Sequence, residues 1–80
     1  MIPYSRKATS IDLAIGDKLR TARRQHGMTQ ESLAEALGIT FQQVQKYENG
    51  KNRISAGRLV CAAAAIGVDV ATLLPTLETR

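Results

Sequence analysis

The sequence predicts an all-α fold, a compact domain of five helices containing a helix-turn-helix, and three observations carry that expectation. Its 80 residues suffice for one domain and are too few for two. The chain is 44% hydrophobic with no Trp, two Tyr and one Phe, so its apolar mass lies in Leu, Ile, Val and Ala, a mix that favours helix over sheet. Apolar residues recur at helical spacing in segments that end at Gly or Pro. A core of this size supplies only about 3–5 kcal/mol, so oligomerisation would add stability.

Residues 1–9 hold Pro3, Ser5, Arg6, Lys7 and Thr9 without apolar periodicity and are expected to form a flexible basic arm. Such an arm suits a DNA backbone or minor groove, or simply frays. A folded domain follows over 10–75, then a tail over 76–80. The first helix is expected from Ser10 or Ile11 to Gln25, with Ser10 as N-cap and Asp12 favourable in the first turn. Ile15, Leu19, Ala22 and Arg23 share one face, and Gly27 stops the helix. His26, just before that stop, suits capping of the C-terminal carbonyls.

Thr29 caps the second helix, where Ser32 rather than Glu takes the third position and leaves the reciprocal capping box incomplete. Leu33, Ala34 and Leu37 form its buried stripe. Gly38 ends it, with an expected positive φ, and Ile39 packs inward. Thr40 caps the third helix, Phe41 to about Glu48. At about 100° per residue, Val44, Tyr47 and Glu48 gather on one side and Gln42, Lys46 and Asn49 on the other, with Gln45 at the outward edge. Asn49-Gly50 closes this helix, and Lys51-Asn52-Arg53 forms a short basic loop. Ser55 begins a fourth helix through Ile66, with Leu59, Ala62, Ala63 and Ile66 inward. Gly67 stops it; Asp69 caps a last short helix through Leu74, ended by Pro75.

Charge is concentrated. Eleven Lys and Arg against seven Asp and Glu give +4 overall. Arg6, Lys7, Lys18, Arg20, Arg23 and Arg24 precede Gln30, opposed only by Asp12 and Asp17, and Lys46, Lys51 and Arg53 form a second basic group. A surface of this sign attracts polyanions such as duplex DNA, although a solvated positive face gives the same total. The lone Cys61 excludes an internal disulfide, fits a reducing compartment, and in the run 59–66 is expected as a buried, inert thiol. No stretch approaches a membrane span and the N-terminus lacks a signal-peptide core, so a soluble, cytoplasmic protein is expected.

The motif at 30–49 carries the chemistry. Gln42 suits bidentate pairing with an adenine edge and Lys46 donation to guanine O6 and N7, with Gln43 and Gln45 contributing according to helix tilt. Phe41 either meets a thymine methyl group or folds back as a lid over the turn. Gln30 and Thr40, at helix N-termini, suit phosphate contact, and Lys51 and Arg53 suit the flanking backbone. Arg23 and Glu48 both fall on or beside apolar stripes, which predicts a partly buried ion pair between the first and third helices. No nucleophile–base constellation, metal-ligand spacing or phosphate-cradling Gly loop is present, so no enzyme, metal or cofactor is expected.

Gly27-Met28-Thr29-Gln30-Glu31-Ser32-Leu33-Ala34 and Val44-Gln45-Lys46-Tyr47-Glu48-Asn49-Gly50 resemble the Cro/C1-type helix-turn-helix (Xre, lambda-repressor-like) family. The likeness extends over about Ile15 to Leu74. It implies a five-helix domain that binds operator DNA as a homodimer without cofactor or evident small-molecule effector, to repress or occasionally activate transcription. Under the resemblance Gln30, Gln42, Gln43 and Lys46 match DNA-facing positions, and Thr40 and Asn49 match backbone contacts. Phe41 departs from the family, where a small or polar residue is more usual. With no further segment after Leu77 in this sequence, dimerisation is expected through Val70, Leu73, Leu74 and Leu77; if Leu73 is core, the interface shrinks to Leu74, Leu77 and their neighbours. The alternative is an antitoxin-like module whose main partner is a toxin protein.

Overall fold

The structure, a computed structural model, describes residues 9–76. The expected arm before Thr9 and the tail from Leu77, including that proposed dimer contact, lie outside the described residues. Four α-helices and one 3₁₀ turn make up the fold: α1 (Ser10–Gln25), α2 (Gln30–Leu37), α3 (Phe41–Glu48), α4 (Ala56–Ile66) and the 3₁₀ turn Val70–Leu73. The expected fifth helix is therefore a single 3₁₀ turn that stops at Leu73, short of Leu74. Its Asp69 carboxylate accepts from the Ala71 N–H at 2.9 Å, so the cap is the expected one. No strand occurs among the described residues, and no helix there is long and apolar enough to cross a membrane.

The helix starts follow hydroxyl caps. Thr29, Thr40 and Ser55 accept from the N–H groups of Ser32, Gln43 and Arg58 at 3.0, 3.2 and 3.1 Å. At α1 the cap is Thr9, not Ser10. The Asp12 carboxylate accepts from the Thr9 N–H at 2.7 Å and from its hydroxyl at 2.9 Å, and this Thr-x-x-Asp pairing displaces the start by one residue. Helix ends use a shared device. After α2, Gly38 N–H donates to Glu35 O at 3.2 Å and Ile39 N–H to Ala34 O at 3.0 Å. That double closure needs a left-handed residue, supplied by Gly38 at φ +68°. Ile39 is thereby turned inward against the core.

α1 packs on α3, α2 packs on both α3 and α4, and the 3₁₀ turn closes the gap between α1 and α4. Leu19, Leu33, Val44 and Leu73 are fully enclosed at the centre, each contributing about 1.5–3 kcal/mol by leaving water. The α4 stripe of Leu59, Ala62, Ala63 and Ile66 is buried as expected. Two expectations require correction. Leu73 is 0% exposed, because the turn inserts it between α1 and α4, and it is unavailable to a partner chain. Cys61 is exposed, because the buried α4 stripe passes through its neighbours Ala62 and Ala63 and leaves position 61 on the other face.

α1 approaches α3 through Gly16. A Cβ on that residue would collide with the Tyr47 carbonyl oxygen and come within 3.0 Å of the Glu48 carbonyl oxygen. A glycine in mid-helix lowers helix propensity by about 1 kcal/mol relative to Ala. Here it permits backbone-to-backbone contact beneath the end of α3.

Candidate nucleic-acid interface

The third helix is set by a buried ionic hub at its C-terminal end. Glu48 Oε2 accepts from Arg23 Nε at 2.7 Å and Oε1 from Arg23 Nη2 at 3.0 Å, a bidentate fork between α1 and α3. Both side chains are nearly sealed from solvent, 7% exposed for Arg23 and 0% for Glu48. The remaining Arg23 nitrogen, Nη1, donates to the Met28 carbonyl at 2.7 Å and ties in the α1–α2 connection. Planar, charge-assisted pairs of this kind fix geometry more than they add net stability.

Two further side chains converge on the same carboxylate. Gln30 Nε2 donates to Glu48 Oε1 at 3.0 Å, and Arg20 Nε lies 3.6 Å from that oxygen. Arg20 Nη2 reaches on to Asn49 Oδ1 at 2.9 Å. Thus Gln30 and Asn49, the expected backbone contacts, are tethered to the residues that orient α3.

On the other side of α3, Gln42, Gln45 and Lys46 are exposed. Their side chains make no hydrogen bond to other described residues, so amides and an ammonium face solvent unspent. Gln43 differs. It is half-buried and its Nε2 donates to Asn52 Oδ1 at 3.2 Å, which ties it to the basic loop. Phe41 is 38% exposed. Thr40 spends an oxygen lone pair on its cap, leaving its hydroxyl hydrogen to donate.

The loop after α3 is bound back onto the helix end. Gly50 N–H donates to Tyr47 O at 3.1 Å and Lys51 N–H to Lys46 O at 2.9 Å, with Gly50 at φ +70°. This closure ties the backbone of exposed Lys51 to the last turn of α3. Arg53, half-buried, donates from Nε to Asp12 Oδ2 at 3.2 Å. Burial pushes the Asp12 carboxyl up, but hydrogen bonds from the Thr9 backbone and hydroxyl and from Arg53, with the Arg53 charge, outweigh it and hold the group below its ordinary value of 3.8. His26 sits at the end of α1 with Nδ1 3.0 Å from Ala22 O, a C-terminal capping position. Among the described residues no His, Cys, Asp or Glu cluster could hold a metal ion.

Sequence reasoning missed the tethers made by Arg20 and Asn52 and the close approach at Gly16, and it placed Asp12 in the first turn without its pairing to Thr9 and Arg53. Asp12 carried a readable signal, a Thr followed three residues later by an acid. Gly16 carried a weaker one, a lone glycine inside a helical pattern. Nothing in the spacing singles out Arg20 or Asn52, because each is recruited by a partner distant in sequence.

Comparison with known proteins extends these observations. An uncharacterized HTH-type transcriptional regulator of Sinorhizobium medicae is 47% identical over 70 residues, covering 88% of this chain and 50% of that protein. The chain spans about half the length of the first curated relatives it matches. Among solved structures, the clp gene regulator ClgR of Corynebacterium glutamicum superposes with a TM-score of 0.78 at 29% identity, covering 82% of this chain and 70% of that one. The restriction-modification controller protein C.AhdI of Aeromonas hydrophila gives 0.77 at 26%, covering 82% and 100% respectively. The helix-turn-helix family model matches residues 19–73, from the middle of α1 to the 3₁₀ turn. With its two short capped helices, glycine turn and outward polar face, the chain belongs to the Cro/C1-type helix-turn-helix family.

Proposed function

We propose that this domain is a sequence-specific DNA-binding transcriptional regulator, acting as a repressor. One observation carries the reading. Gln42, Gln45 and Lys46 stand exposed and unspent on a helix whose angle is fixed from behind by the Arg23–Glu48 fork. In the family's docking mode, α3 enters the major groove while α2 crosses the backbone. Gln42 and Lys46 would then read base edges, each good bidentate pair adding roughly 1–3 kcal/mol of discrimination. Gln30, Thr40, Asn49, Lys51 and Arg53 would hold phosphates and set the register. Gln43, tied to Asn52, is better suited to bracing the basic loop than to reading bases. The relatives named as regulators support the reading.

A homodimer would read a pseudo-palindrome with half-sites about 34–36 Å apart. Leu74, 45% exposed, and half-buried Val70 are the described residues offered to that interface. Selection of binding sites from a random duplex library at two salt concentrations tests the reading. Enrichment of a palindrome with steep salt dependence is expected; salt-dependent binding without an enriched motif would refute sequence-specific recognition. On the selected operator, Lys46→Ala should relax preference at one base pair, while Arg53→Ala should weaken all sequences alike.

A further inference from the structure

We infer that Arg20 is a positioning residue that sets the polarity of the Asn49 amide and thereby presents its Nδ2 hydrogens to a phosphate of the DNA backbone. The inference rests on the DNA-binding reading above and adds to it a residue on α1.

Arginine carries only N–H donors, so the Asn49 atom 2.9 Å from Arg20 Nη2 must be the carbonyl oxygen. The amide is therefore not free to flip. With Oδ1 held against Arg20, Nδ2 is turned away from the guanidinium, on an exposed residue whose side chain makes no other hydrogen bond among the described residues. An amide held this way offers donors to an anionic oxygen; the opposite flip would offer a lone pair and repel it.

The guanidinium is anchored by an ionic contact at Nε, which makes no hydrogen bond, and by its Nη2 bond to Asn49. Arg20 side-chain exposure is 35%, with Nε buried 3.6 Å from Glu48 Oε1. Arg20 and Arg23 together oppose the single charge of Glu48, so the hub has one positive charge in excess. Asp17 lines the same recess as Arg20, Glu48 and Asn49 and balances that excess, so what Arg20 supplies to a phosphate is the orientation of the Asn49 amide and not a net positive field.

The test is a double-mutant cycle on the selected operator with wild type, Arg20→Gln, Asn49→Ala and the double variant, each titrated at several salt concentrations. Thermal melting monitors folding, and Arg20→Lys provides a variant that keeps the charge but loses the planar fork. Each single Gln or Ala substitution is expected to weaken binding roughly 3- to 10-fold, and the double variant no further than Asn49→Ala. Arg20→Lys should recover affinity only in part. In the DNA-free protein, the Asn49 side-chain amide resonances should shift on Arg20→Gln.

Additive losses with a fall of about one in the salt slope for Arg20→Gln would overturn the inference, since Arg20 would then meet a phosphate itself. Unchanged affinity in Arg20→Gln would overturn it equally, as would unmoved Asn49 amide resonances. If wild type selects no duplex, the DNA reading fails and takes the inference with it; wild-type binding with additive losses removes the inference alone.

Discussion

Gly16→Ala is the substitution for which local propensity and packing disagree most sharply. In an isolated helix the change would gain about 1 kcal/mol. In this fold the new methyl group points into the end of α3, against the backbone carbonyl oxygens of Tyr47 and Glu48. Backbone carbonyls cannot rotate aside as a flexible side chain can, so α1 and α3 must separate. Overpacking of this kind costs about 1–3 kcal/mol, and a clash with backbone belongs in the upper part of that range, of which propensity returns about 1 kcal/mol. A net loss of about 1–2 kcal/mol corresponds to a fall in Tm of roughly 5–15 °C in a domain of this size. Thermal unfolding followed by circular dichroism measures it directly. Operator affinity should fall as well, because separating α1 from α3 stretches the fork that aims the recognition helix. A Tm equal to or above that of wild type would refute the close-approach argument and return Gly16 to an ordinary helix position.

Arg23→Ala should cost about 3 kcal/mol, the lower end for breaking a buried pair, because it removes both fork hydrogen bonds from a fully buried carboxylate that keeps only Gln30 and the 3.6 Å contact to Arg20; in denaturant titration the double Arg23→Met, Glu48→Leu variant should recover part of that loss. Asp12 has a folded-state pKa below its ordinary value of 3.8, so its stabilisation is full above that pH and is lost as pH falls through the folded-state value. The Tm difference between wild type and Asp12→Asn should therefore be constant near neutrality and shrink below about pH 3.8; a difference that grows on acidification would contradict the hydrogen-bonding assignment. Cys61, exposed on α4, should react with a thiol reagent in native buffer at a rate close to that in denaturant, whereas strong native protection would contradict its placement.

Much of the fold was legible because its determinants are local. Hydroxyl caps at Thr29, Thr40 and Ser55 and glycines after each α-helix gave boundaries that agree with the structure within a residue, and apolar spacing identified the inward stripes of α2, α3 and α4. The failures came where a neighbour not visible in sequence decides the outcome. Ser10 and Thr9 both satisfy the rule for an N-cap, and Asp12, three residues after Thr9, selects between them. Leu73 and Leu74 are both plausible contacts in a pattern, but the turn geometry can insert only one between α1 and α4. The outward face of α3 followed from helical periodicity, whereas its tethers to Arg20 and Asn52 required the fold. Periodicity shows which way a side chain points; it does not show which distant group waits there.

The division of labour around α3 has a consequence for how this protein can change. Arg23 and Gln30, which hold the end of the helix, are committed inward, to the Glu48 carboxylate and the carbonyl of Met28. Gln42, Gln45 and Lys46 hold no such commitment. Their replacement should leave stability within about 0.5 kcal/mol, the range of ordinary surface substitutions. The scaffold is therefore indifferent to the text it displays, and a new target sequence can be written on positions 42, 45 and 46 without relearning how to fold.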